Sequence, residues 1–256
     1  MIREIEIDGR AAWLASPEQP TGAVQPTGAV VVCHGGSGLS AHEREVIERL
    51  AALGYAAVAP DLFGARPADR AGWIAMIQAL VGEPTELRRR VLAVVDAMRE
   101  PAADAMREAA ADAMRVHARV GVVGHCFGGT AALEAARTGA DLACVVARHG
   151  GLSTPAPASG SAQLAIRAPI LACCGAADPF CPREQRAAFE DEMQAAGASW
   201  QLHVYGGAQH GFSVRGIERP GCAYDERADR ASWAAMVALL DETIGTTRRS
   251  GPDVSS

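Results

Sequence analysis

Short apolar runs alternate with longer amphipathic stretches along most of the chain. The apolar runs at residues 29–33, 56–59, 120–123, 142–146, 169–174 and 200–205 read as buried strands. Between the first two, Ser40-Ala41-His42-Glu43 has the form of a capping box and opens a helix to about Leu53, with Gly54 suited to its C-terminal stop. Residues 70–117 hold two helical stretches divided near Gly82 and Pro84, and further helices begin near Gly128, Pro182 and Arg227. Pro182 suits a first helical position and Gly197 the far end of that helix. In the last helix Ala228, Trp233, Met236, Val237, Leu240 and Ile244 fall close to one face, as packing on a sheet requires. The opening residues 5–14 form two short strands around Asp8-Gly9, a hairpin for the edge of a sheet. This β-α alternation predicts an α/β protein: a mostly parallel, doubly wound sheet with helices on both faces and an N-terminal edge hairpin.

Two repeats interrupt the pattern. PTGAVQ is followed by PTGAVV over residues 20–31, the first copy reading as loop and the second running into a strand. DAMR recurs at Asp96, Asp104 and Asp112. A step of eight residues turns a helix about 80° past two full turns, so Met98, Met106 and Met114 spiral around it and share no stripe. This is a lengthened surface helix, not a cofactor box, with Pro101 placed to kink or break it. The expected organisation is one domain over residues 1–245 and a polar, flexible tail over 246–256.

With 256 residues, 49% of them hydrophobic, the chain can bury a substantial core. A net charge of -6 without a lysine and arginine stripe argues against a nucleic-acid partner. No opening segment has the order of a signal peptide and no apolar run approaches the roughly 20 residues that span a bilayer, so a cytoplasmic protein without a membrane partner is expected. The seven cysteines are odd in number and scattered, which reads as reduced thiols. Cys33, Cys144, Cys173 and Cys174 lie in strand-like runs as small core residues, and no compact Cys or His spacing points to a metal.

Cys126 stands apart. It occupies the centre of Gly-His-Cys-Phe-Gly-Gly, directly after an apolar strand and before an alanine-rich helix, which is the pattern of a nucleophile elbow with Cys in place of Ser. Asp178 and His210 each follow a later strand, so nucleophile, acid and imidazole occur in the chain order of an α/β-hydrolase triad, all at carboxyl ends of strands. His210 and the positive end of the helix after Cys126 would favour thiolate, Asp178 would fix the imidazole tautomer, and the backbone amides of Gly36 and Phe127 could hold a developing oxyanion. His34 and His125 read as loop organisers, Asp61 as a loop-structuring carboxylate, and His42, His117 and His203 as surface or packing positions. Gly35, His149, Phe180, Phe212 and Arg215 are candidate pocket residues.

The blocks VVVCHGGSGLSAHE, GYAAVAPDLFG, VGVVGHCFGG, APILACCGAADPFCP, VYGGAQHGF and GCAYDERADRASWAAM, spread over most of the chain, together resemble the dienelactone hydrolase family. The resemblance implies an α/β-hydrolase fold, a Cys126, His210 and Asp178 triad, no metal or organic cofactor, and hydrolysis of small carboxylic esters or lactones through a thioester. Members that act on dienelactones resemble this chain near residue 35 but carry Glu where it has Gly35. They also place an Arg four residues after the catalytic His, where this chain has Val214 and then Arg215. A broader ester or lactone hydrolase is therefore expected. Two other readings compete: a non-catalytic small-molecule binding protein on the same scaffold, and a redox-responsive thiol protein.

Overall fold

The computed structural model describes residues 2–17, 28–99, 119–154 and 165–245. The first hexapeptide copy, residues 100–118 with Pro101 and most of the eight-residue repeat, and the tail at 246–256 lie outside them. Eight strands form one sheet: β1 (Ile2–Ile7), β2 (Arg10–Ala15), β3 (Ala29–Cys33), β4 (Ala56–Pro60), β5 (Val120–His125), β6 (Val145–Arg148), β7 (Ile170–Gly175) and β8 (Trp200–Tyr205). Their order is β1-β2-β4-β3-β5-β6-β7-β8. β1 pairs antiparallel with β2, and β2 with β4; every other pairing is parallel. Asp8 and Gly9, both at positive φ, make the hairpin turn that puts β1 on the edge.

The six helices described divide between the two faces, and the strands say why. In β3, Ala29, Val31 and Cys33 enter one core while Val30 and Val32 enter the other; Ile170, Ala172 and Cys174 of β7 are likewise opposed to Leu171 and Cys173. Apolar side chains on both sides of the pleat need cover on both sides. One face is covered by α1 (Ala41–Ala52) and α6 (Glu226–Ile244), which bring Ile47, Leu50, Met236 and Leu240. The other is covered by α2 (Arg70–Gly82), α3 (Pro84–Arg99), α4 (Phe127–Ala136) and α5 (Arg183–Ala195), through Leu80, Val91, Leu133 and Phe189 among others. The Ser40 and Glu43 capping box is formed, and Gly54 follows α1 at φ +99°.

Several boundaries differ from the sequence reading, among them β5, which runs past Val123 to His125. The apolar run at 142–146 enters the sheet as a strand only at Val145 and continues to Arg148, because an apolar approach segment has the same composition as the strand it leads into. Pro182 is the residue before α5, at ψ 167°, and Arg183 is its first helical residue.

The turn from β5 into α4 depends on glycine. A β-carbon on Gly128 would lie 2.1 Å from the Cys33 carbonyl oxygen and 2.7 Å from that of His34, both backbone atoms of the neighbouring strand end. Neither can yield without parting β3 from β5. Gly128→Ala is therefore expected to cost about 3 kcal/mol or more, read as a lowered urea midpoint with an unchanged slope.

Candidate active site

Cys126 sits between β5 and α4 at φ 54°, ψ −120°, a backbone conformation that costs a non-glycine residue about 1–3 kcal/mol. Gly124 and Gly128 permit it: a β-carbon on Gly124 would lie 1.9 Å from the Gly128 carbonyl oxygen. The sharp turn presents the side chain at the carboxyl end of the sheet. Asp178 follows β7, and its loop is tied back by Asp178 N–H donating to the Gly175 carbonyl (3.3 Å). His210 follows β8 and is held by a short ribbon, its N–H donating to Gly221 O and its carbonyl accepting from Ala223 N–H.

The three side chains converge. His210 Nε2 lies 3.1 Å from Cys126 Sγ and His210 Nδ1 lies 2.9 Å from Asp178 Oδ2. The other Asp178 oxygen accepts the Phe180 N–H at 2.8 Å, so the carboxylate cannot turn away from the ring. Burial alone would push the Cys126 thiol up. Hydrogen bonding and charge from His210, with backbone N–H groups of Gly36 and Phe127 directed at the sulfur, outweigh burial and leave it below the ordinary thiol value. Burial would likewise push His210 down, but Asp178 and the Cys126 sulfur raise it to about 10. Both shifts favour a thiolate-imidazolium pair at neutral pH. The remaining cysteines are all buried, and burial pushes Cys33 up to about 12 and Cys144 and Cys173 up to about 11.

A cleft of about 80 Å³ opens onto the sulfur, lined by Gly35, Gly36, Ser40, His42, His149 and His210 and, from the return loop, by Val214, Ile217 and Arg219. Its volume is well below the roughly 300 Å³ at which drug-sized sites begin. A larger cavity of about 210 Å³ between Trp13 and Trp73 meets it at Gly38 and touches none of Cys126, Asp178 and His210. Among the described residues, no group of His, Cys, Asp and Glu is arranged to hold a metal ion and no helix is long and apolar enough to cross a membrane.

The candidate pocket residues separate. Gly35 lines the cleft, and a β-carbon there would face the Cys126 Cβ at 3.7 Å and Glu43 Oε1 at 4.0 Å. Phe180 is 56% exposed with its ring centroid 5.0 Å from that of His210, edge to face. Phe212 is no pocket wall: it is fully buried against His149 and Tyr205, because the left-handed turn at Gly211 (φ +70°) directs the chain into the core. Arg215 also leaves the site, its side chain 67% exposed near Glu45 and over the Tyr224 ring. His42 takes the packing alternative, half-buried in the cleft wall with its ring against that of His125, because α1 turns its first residues toward the sulfur.

His34 and Asp61 shape the adjoining loops. Leu62 N–H donates to His34 Nε2 (2.9 Å), so Nδ1–H donates to the Gly35 carbonyl (2.7 Å). Asp61 accepts from the N–H groups of Phe63 and Gly64. Sequence reasoning missed the second use of Glu43, which accepts Gly35 N–H at 3.1 Å while capping α1, and the buried Arg148, paired with Asp229 at 2.6 Å. A Ser-x-x-Glu box directly after a glycine loop and an Arg ending an apolar strand were the available signals.

Comparison with known proteins gives the family. Residues 11–244 match the dienelactone hydrolase family. A protein of Escherichia coli named for carboxymethylenebutenolidase activity is 30% identical over 245 residues, covering 93% of this chain and 84% of its own. A Bradyrhizobium protein named as a 2-oxo-3-(5-oxofuran-2-ylidene)propanoate lactonase is 30% identical over 91% of this chain and 89% of its own. Among solved structures, a dienelactone hydrolase-like promiscuous phosphotriesterase from metagenomic libraries is 33% identical, with a TM-score of 0.79 over 95% of this chain and 98% of its own. The chain is a hydrolase of the dienelactone hydrolase family, built on an α/β-hydrolase fold.

Proposed function

We propose that the protein hydrolyses small carboxylic esters or lactones, with Cys126 as nucleophile, His210 as acid and base, and Asp178 as the group that orients His210. The observation that carries this reading is the continuous line from Cys126 Sγ through both His210 nitrogens to Asp178 Oδ2, on a strained turn that opens to a cleft. The thiolate attacks the carbonyl carbon, and the carbonyl electron pair moves onto oxygen, where the Gly36 and Phe127 N–H groups stabilise it. Collapse breaks the bond to the leaving oxygen, which takes the proton from His210 Nε2 and departs as the alcohol; the acyl group stays on sulfur as a thioester. Water then gives a proton to Nε2 as it attacks, and breaking the C–S bond releases the acid and restores the thiolate. Gly35 leaves space beside the sulfur, and Arg219 supplies a cation at the cleft that Arg215 does not.

Thiolate leaves a tetrahedral intermediate more readily than an amine does, so esters are expected to turn over at least about 10²-fold faster than the corresponding amides. A panel of acetate and butyrate aryl esters, small lactones, matched anilides and an aryl phosphotriester checks this. Turnover of amides as fast as esters would reject the assignment, and the binding-protein and thiol-sensor alternatives require no ester turnover at all. We further propose that residues 1–245 act as one domain, a reading supported by the single eight-stranded sheet, and that the protein works in the cytoplasm, where its free thiols stay reduced.

A further inference from the structure

His149 lies at the end of β6, fully buried, at φ 42°. A non-glycine residue in that left-handed region is uncommon, and such residues gather at functional sites. Its ring makes hydrogen bonds at both ends. The Cys126 backbone N–H is shared between the Arg148 carbonyl at 3.0 Å and Nδ1 at 3.1 Å, and Nε2 lies 2.8 Å from Ser213 Oγ. Because a backbone N–H can only donate, Nδ1 carries no proton, and Nε2–H is the donor to Ser213. Ser213 is three residues beyond His210 on the same loop. The ring itself is clamped, with Phe212 at 5.0 Å and His210 at 5.4 Å, both edge to face.

We propose that His149 and Ser213 are positioning residues, a brace that joins the turn bearing Cys126 to the loop bearing His210 and sets the separation of sulfur and imidazole. The Cys126 and His210 side chains meet by one contact of 3.1 Å across two separate segments of backbone. The brace is a second, nearly parallel link: Cys126 N–H to His149 to Ser213, then back along the chain to His210. Histidine suits the task because a neutral imidazole places one acceptor and one donor on opposite edges of a rigid plane. The rings of His125 and His210 pack against it, and a proton on Nδ1 would both meet the charge of His210, Arg148 and His42 and break the link to Cys126. Burial first, then His210, Arg148 and His42, hold His149 well below the ordinary imidazole value.

This inference rests on the proposed roles of Cys126 and His210, and one readout is independent of turnover. Iodoacetamide reacts with thiolate, and the other six cysteines are buried, so the pH profile of Cys126 alkylation reports the sulfur-imidazole contact directly. Ser213→Ala is expected to lower kcat on an aryl acetate about 10-fold with KM changed less than about 2-fold, and to move the alkylation profile toward higher pH. Ser213→Thr keeps the hydroxyl and should restore both. His149→Asn keeps an acceptor for the Cys126 N–H but is too short to reach Ser213, so it should behave as Ser213→Ala does, and it serves if that variant does not fold. Variants that fold and keep the wild-type alkylation profile would overturn the brace, whatever their unfolding midpoints. A wild-type protein without ester turnover would instead remove the catalytic reading and leave the alkylation test of the brace standing.

Discussion

Cys126→Ala is expected to lose at least about 10³-fold in kcat/KM on any ester the wild type hydrolyses, while its urea midpoint stays close to that of the wild type. The loss is large because the proposed mechanism runs through a covalent bond to this sulfur and no other described thiol touches the cleft. The amides of Gly36 and Phe127, proposed to hold the oxyanion, remain in the variant and can sustain only residual rate. The substitution removes one atom and keeps the β-carbon in its strained setting, so the glycine contacts that form the turn are unaffected. Steady-state rates on an aryl acetate, with a parallel denaturation curve, check both halves. Full turnover in a folded Cys126→Ala protein would place the chemistry elsewhere.

Asp178→Asn is expected to reduce kcat by about 10³- to 10⁴-fold at neutral pH. The carboxylate accepts the Nδ1–H of His210 and, with the sulfur, holds the imidazole as a cation up to about 10. An amide in its place offers no charge and can present its own N–H to Nδ1, which favours the wrong tautomer. Without the imidazolium the Cys126 thiol rises toward its ordinary value, so alkylation near pH 7 should slow together with turnover. Folding stability responds with a definite sign. The raised His210 value contributes stability that is full below the unfolded imidazole value of about 6.5 and lost as pH rises through about 10, whereas the lowered Cys126 value contributes stability that grows as pH rises to the unfolded thiol value of about 8.5, so the two offset below that and the net loss falls between about 8.5 and about 10. Denaturation midpoints should therefore fall across this window less in Asp178→Asn than in the wild type. Equal slopes would show that Asp178 does not hold the His210 proton.

The parts of the molecule readable in the sequence are those governed by short-range rules. Alternation in residues 29–33 sends Val30 and Val32 to one core and Ala29, Val31 and Cys33 to the other, and Ser40 with Glu43 marks the start of α1 by local hydrogen bonding alone. The glycines around Cys126 were informative because backbone from another strand fills the space their side chains would need. Phe212 and Arg215 misled because direction is decided by the turns at Gly211 and Gly216, which spacing from His210 does not encode. Arg219 enters the cleft wall through a two-stranded ribbon, β9 (Glu218–Arg219) with β10 (Cys222–Ala223), too short to show a strand pattern. The end of its strand marks His149 as a candidate pocket residue, yet its link to Ser213 spans 64 residues and leaves no local trace.

A covalent acyl group on Cys126 is the most direct test. Wild-type protein mixed with an aryl ester of a small acid, quenched in acid within the first turnovers and weighed intact, should carry one added acyl mass. That mass should map to the peptide containing Cys126, be released by neutral hydroxylamine, and be absent from Cys126→Ala. Sustained hydrolysis with unmodified Cys126 at every quench time, under conditions where deacylation limits the rate, would contradict the thioester mechanism.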